Sequence, residues 1–156
     1  MAWTILDTSK LRDIDLFHRL SESALEAIAS IIYTKEYRRG TKIFSDGGPG
    51  RAMYIIQSGE VRISKDTPVG EECLAVLAAG SYFGEMALLE AEPRSADAWA
   101  SRQCTVSVID KDDLMRVMDG DKALSSELLW SFVGTLCRRL REANNKVTFL
   151  TVAGSH

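Results

Sequence analysis

Long hydrophobic runs are missing from this sequence. No window of about 18 apolar residues occurs, which excludes a membrane-spanning helix. The N-terminus, Met1-Ala2-Trp3-Thr4, lacks the basic flank and apolar stretch of a secretory leader, so a cytoplasmic protein is expected. Cysteine is scarce as well. Cys73, Cys104 and Cys137 are odd in number and far apart, which argues against a disulfide framework and against a metal-ligand pair. Each has apolar neighbours, so all three read as small core hydrophobes in a reducing compartment. The two histidines are His18 and the terminal His156, and no metal cluster, general base or nucleophile constellation is visible. Neither an enzyme nor a metal protein is expected. Clustered basic charge is also lacking: 19 Lys and Arg face 22 Asp and Glu, for a net charge of −3. A protein whose main partner is nucleic acid needs the opposite balance.

What is present suffices for a single domain, 1–156, since 46 % of the 156 residues are hydrophobic. The chain reads helix, then many short strands, then helix. A short helical turn at 11–17 packs by Ile14, Leu16 and Phe17, and Ser21 caps a helix carrying Leu25, Ile28, Ala29 and Ile32. From about 37 to 110, turn signals recur at Arg39-Gly40, Asp46-Gly47-Gly48-Pro49-Gly50, Ser58-Gly59, Pro68-Val69-Gly70 and Ala79-Gly80. Between them lie β-rich segments at 42–45, 52–57, 60–65, 73–77, 96–100 and 105–110. Strands at roughly ten-residue spacing with glycine punctuation predict an antiparallel sandwich or barrel, closed as a jelly roll of about eight strands. The fold class is therefore α+β: a β-roll flanked by N-terminal helices and C-terminal helices over about 111–148.

The last helix, from about 122 to 147, has two apolar stripes. Leu129, Val133, Leu136, Leu140, Ala143, Val147 and Leu150 alternate four and three apart, a heptad seam over about three heptads. Leu124, Leu128 and Phe132 form a second stripe, expected to face the barrel. Two apolar faces imply two partners, one of them a second copy of the chain or an unidentified effector protein.

One segment breaks the strand rhythm. Phe83-Gly84-Glu85-Met86-Ala87-Leu88-Leu89-Glu90 predicts a helical turn inserted between two strands, ended by Pro93. Gly84 lets a ligand approach the backbone, and the amides of Glu85, Met86 and Ala87 form a helix N-terminus that suits an anion. Arg94 can pair with a phosphate through two parallel hydrogen bonds, and Ser95 adds a hydroxyl. Glu85 puts a carboxylate where an anion is wanted, which makes sense if the ligand also offers a hydroxyl. A phosphorylated ribose with a free 2′-OH supplies both. Taken singly, Glu85 reads as an ordinary acidic first-turn residue and Arg94 as a surface ion-pair partner; their joint spacing points instead to a ligand.

Here the sequence resembles a known family. Residues 83–89, then Pro93-Arg94-Ser95-Ala96 at their spacing, are similar to the phosphate-binding cassette of cyclic nucleotide-binding domains. Tyr54-Ile55-Ile56-Gln57-Ser58-Gly59-Glu60-Val61 and Arg38-Arg39-Gly40-Thr41-Lys42-Ile43-Phe44 resemble the family's strand–turn–strand segment and first hairpin, so the likeness spans about 16–150. The resemblance implies a regulatory sensor for cyclic AMP or cyclic GMP, with no metal. Phe83 and Ala96 bound the cassette; Gly84, Met86 and Ala87 present backbone groups, Glu85 takes the ribose 2′-OH, Arg94 the cyclic phosphate, and Ser95 the phosphate or purine. In this family a serine at 95 in place of a threonine favours cyclic AMP over cyclic GMP. The last helix would close over the base. Its segment from Leu136-Cys137-Arg138-Arg139-Leu140-Arg141 to Ala143-Asn144-Asn145-Lys146-Val147 resembles that of the cyclic-AMP receptor proteins, in which two adjacent hydroxyl residues reach the adenine. Ala143 and Asn144 stand there instead. Asn144 is a candidate for the base or for dimer register; Arg138, Arg139 and Arg141 read as a solvated face, with Arg139 also a candidate for ligand contact on closure. Receptor proteins of that family continue into a helix-turn-helix domain, for which 148–156 is too short, so DNA binding is not expected. The alternatives are a scaffold of the same fold without ligand, or a fragment of a larger channel, kinase or transcription regulator.

Overall fold

The computed structural model describes residues 8–90 and 92–154, with side chains up to 151. The N-terminal stretch read for a leader, Met1 to Thr4, and the terminal His156 lie outside the described residues. Two short helices come first, α1 (Thr8–Arg12) and α2 (Glu22–Ala29). The Ser21 hydroxyl accepts from the Ala24 amide at 3.2 Å, the cap expected from sequence. Eight strands follow: β1 (Tyr33–Tyr37), β2 (Lys42–Phe44), β3 (Ala52–Ser58), β4 (Glu60–Thr67), β5 (Gly70–Ala78), β6 (Tyr82–Phe83), β7 (Asp97–Ala100) and β8 (Cys104–Asp110). A short helix, α3 (Met86–Leu89), sits between β6 and β7, and α4 (Lys111–Gly120) and α5 (Lys122–Gly154) end the chain.

The strands form two four-stranded antiparallel sheets, ordered β1-β8-β3-β6 and β2-β7-β4-β5, which is the expected jelly roll. Several boundaries are corrected. The roll starts at Tyr33: β1 is polar and mostly exposed, without apolar alternation, and is a strand because it pairs with β8 from Tyr33↔Val108 to Tyr37↔Cys104. Strand β5 extends to Gly70, since Glu71 and Glu72 pair with Asp66 and Lys65. The inserted helix is Met86–Leu89, because Tyr82 and Phe83 are instead drawn into a two-residue strand against β3. Helix α5 runs past Val147 to Gly154.

Side chains alternate across a strand, so one strand can serve two cores. Met53 and Ile55 of β3 and Ile109 of β8 face outward into a cluster with Phe17, Leu25, Ile28, Leu114 and Leu128. Ile56, Val106 and Val108 point between the sheets, against Val61, Phe83, Ala98 and Ala100. The stripe Leu124, Leu128 and Phe132 is buried in the outward cluster. Its partners thus include the N-terminal helical segment, with the Phe17 and Phe132 rings 6.3 Å apart, and not the roll alone. The heptad stripe stays exposed, Leu140 at 62 % and Val147 at 61 %. Of the cysteines, Cys104 is buried while Cys73 and Cys137 are exposed, which overturns the reading of all three as core. Cys137 lies on the open side of α5, and Cys73 on the exposed edge strand β5, so apolar neighbours in sequence did not mean burial.

Candidate functional site

A cavity of about 420 Å³ opens between the inserted helix and the sheets. Residues 83–87 and 93–96 line one side, with Phe44, Ile63 and Leu77 opposite. The structure therefore brings Phe83, Gly84, Glu85, Met86, Ala87, Arg94, Ser95 and Ala96 to one cavity. Phe83 and Ala87 are buried, Met86 is largely exposed, and Ser95 is exposed at the mouth beside buried Ala96.

Arg94 is the buried charge of the site, 8 % exposed. Its Nη2 donates to the Ala52 carbonyl at 2.8 Å and its Nη1 to the Gly84 carbonyl at 3.2 Å. Nε is buried and has no hydrogen-bond partner among the described residues. Burial lowers the pKa of Arg94, opposed by the neighbouring Tyr54 and Glu85; an arginine nevertheless stays charged in a protein. Its backbone is clamped on both sides, the Arg94 amide donating to Gly48 O at 2.8 Å and the Gly47 amide to Arg94 O at 2.7 Å. The glycine loop 46–50, read only as a turn, is thus part of the site's frame. Gly50 keeps that frame close, since a Cβ there would lie 3.1 Å from both Ala87 Cβ and the Glu92 carbonyl.

Gly84 has φ +78, a conformation that suits glycine. A Cβ at this position would lie 2.8 Å from Arg94 Nη1 and 3.1 Å from Ala52 O. The missing side chain makes room first for the arginine, where the sequence suggested room for a ligand. The Ala87 amide is not available to an anion, because it donates to Gly84 O at 3.1 Å. A four-residue helix also has too few aligned peptides for a sizeable dipole. Arg94 and not the helix N-terminus is the main positive feature of the cavity.

Burial pushes the Glu85 carboxyl above its ordinary pKa, opposed by its own backbone hydrogen bond. Arg139 of α5 supplies a counter-charge: its Nη1 lies 2.8 Å from Glu85 Oε1. Arg139 also donates to the Tyr82 hydroxyl, which in turn donates to Asp15. Arg138 pairs with the same Asp15, so the two arginines are tied inward and are not a purely solvated face. Asn144 is exposed on α5 and does not line the cavity. Asp15, Phe44, Tyr54 and Tyr82 were not singled out from sequence. Tyr82 could have been, since it directly precedes the Phe83-Gly84-Glu85 run; Asp15, 67 residues away, left no signal.

The profile of the cyclic nucleotide-binding domain family matches residues 34–121, from β1 to the end of α4 and across the whole cavity. The chain belongs to that family. Among its relatives, a CRP-like cAMP-activated global transcriptional regulator of Mycobacterium tuberculosis is 30 % identical over 136 residues, covering 86 % of this chain and 59 % of the regulator. Glutaminase 1 of Bradyrhizobium diazoefficiens is 34 % identical over 145 residues, covering 93 % of this chain but 23 % of that protein. The solved structure of the Thermus thermophilus catabolite activator protein is 32 % identical with a TM-score of 0.72, covering 88 % of this chain and 63 % of that one. The chain thus spans less than two thirds of the length of each of these relatives. In this cyclic nucleotide-binding domain, α5, with Arg139 and the heptad seam, lies beyond the matched stretch.

Proposed function

We propose that the domain senses a cyclic nucleotide, cyclic AMP, in the cavity bounded by residues 83–96. The observation behind this is the convergence of Arg94 and Glu85 on one cavity, with the Arg94 Nε unpaired among the described residues. An anion completes the guanidinium, and a ribose hydroxyl donates to the carboxylate. Relatives named as cAMP-activated or as a cyclic AMP receptor protein favour the adenine base. The role in this reading is reception and not catalysis, with Arg94 and Glu85 holding the ligand. Because Arg139 sits on Glu85, a ligand that engages Glu85 changes the contact between the cassette and α5. That contact is the route by which binding biases the helix and the second copy we place on its heptad stripe.

Calorimetric titration with cyclic AMP and cyclic GMP tests the reading. The wild-type chain binds cyclic AMP, and Arg94→Ala weakens binding by about 2–4 kcal/mol, the loss of a charge-assisted pair on a buried anion. A chain that binds neither nucleotide at high micromolar concentration would instead be an interaction module of the same fold.

A further inference from the structure

The Arg94 guanidinium is fixed at two corners by the carbonyls of Ala52 and Gly84, but two hydrogen bonds leave its plane free to tilt. Something else holds the plane. The Phe44 ring lies 4.1 Å from Arg94 Cζ, with the Tyr54 ring at 5.9 Å. Phe44 comes from β2 of one sheet; Tyr54 and Phe83 come from β3 and β6 of the other. Tyr54 and Phe83 stack at 5.0 Å and 14°, and Phe44 leans on both, at 6.0 and 5.9 Å. The trio bridges the two sheets at the cavity, with Phe44 facing the cation. A delocalised guanidinium lies well on an aromatic face, and the attraction strengthens where water is excluded.

We propose that Phe44 is a positioning residue for the ligand anion: its ring is a shelf that holds the Arg94 guanidinium in the plane a phosphate requires. This rests on the reading of residues 83–96 as the nucleotide site. A merely space-filling Phe44 would be replaceable by leucine; a shelf needs a ring. Phe44 lines the cavity, and Phe44→Tyr keeps the ring.

The test uses the full chain with Phe44→Leu and Phe44→Tyr, each titrated calorimetrically with cyclic AMP. Phe44→Leu weakens binding about five- to thirty-fold, and Phe44→Tyr stays within about two-fold of wild type. Equal behaviour of the two variants, whether both unchanged or both weakened alike, overturns the shelf. A second readout needs no ligand: the Arg94 Hε proton resonance, shielded by the ring. It keeps its position in Phe44→Tyr and moves downfield in Phe44→Leu; the same position in Phe44→Leu as in wild type overturns the proposal. If wild type binds neither nucleotide, the site reading fails, and the resonance still decides the shelf.

Discussion

Replacing Gly84 by alanine probes the point where backbone conformation and the charge of the site meet. At φ +78 an alanine is strained by about 1–2 kcal/mol. Its Cβ would also lie 2.8 Å from Arg94 Nη1, closer than real contacts allow. Arg94 is the far end of a long side chain, so the guanidinium yields before the backbone does. Yielding breaks its 3.2 Å bond to Gly84 O, a charge-assisted bond whose loss costs about 1.5–3 kcal/mol. Together the two effects amount to about 2.5–5 kcal/mol. With a urea slope of about 2 kcal/mol/M, the unfolding midpoint falls by about 1.3–2.5 M. Gly80→Ala is the control, because Gly80 has φ +92 but nothing within 4 Å of an added Cβ. It pays the backbone strain alone, about 1–2 kcal/mol. The displaced guanidinium also costs Gly84→Ala at least about ten-fold in cyclic AMP affinity, whereas Gly80→Ala leaves affinity unchanged. Equal urea midpoints for the two variants, together with wild-type affinity in Gly84→Ala, would refute the placement of Arg94 against Gly84.

Two further outcomes follow from the charged and apolar surfaces. Glu85 has a raised pKa, so between the ordinary and the raised value the folded chain keeps a proton that the unfolded chain releases. Stability contributed by this group therefore falls as pH rises from the ordinary carboxylate value through the raised one. Urea unfolding across that window should show the decline in wild type and its loss in Glu85→Gln; parallel profiles would contradict it. On the exposed seam of α5, Leu140→Glu removes an apolar side chain from each partner of a two-helix pairing, about 3–6 kcal/mol in all. Sedimentation equilibrium should show a wild-type dimer and a dissociation constant at least about a hundred-fold weaker in the variant. A wild-type monomer would remove the second copy from the proposal.

The roll was legible because glycines punctuate short β-rich segments at roughly ten-residue spacing; the two-core use of β3 was not read, because Ala52 to Ile56 is an unbroken apolar run. Strand β1 was missed because Thr34, Lys35 and Glu36 show no such pattern; only β8 makes them a strand. Strand β6 was missed because two residues cannot establish a period. Residues 83–87 and 94–96, which line the cavity, were legible because chemistry and spacing coincide within fourteen consecutive positions. What surrounds them was not, since Phe44, Tyr54 and Asp15 reach the site from elements far away in the chain. Aromatic residues in strands look like core, and nothing in the sequence distinguishes a ring packed on carbon from a ring packed on a cation.

Arg94 and Glu85 differ in how they are held, and that difference bears on how the sensor would work. Arg94 is fixed by groups that belong to the roll: the carbonyls of Ala52 and Gly84, the clamp of Gly47 and Gly48, and the Phe44 ring. None of these has reason to move when a phosphate arrives. Glu85 is held by Arg139, whose backbone belongs to α5, and Arg139 is linked through Tyr82 to Asp15 of the N-terminal segment. Thr135 and Ser131 of α5 donate to the backbone carbonyls of Asp15 and Leu16, tying the same two segments together. On the proposed reading the phosphate half of the ligand meets a rigid partner and supplies affinity. The ribose half meets a partner already paired to a helix, so its binding free energy depends on where that helix lies. By linkage, whatever shifts α5 must then alter nucleotide affinity by the same factor.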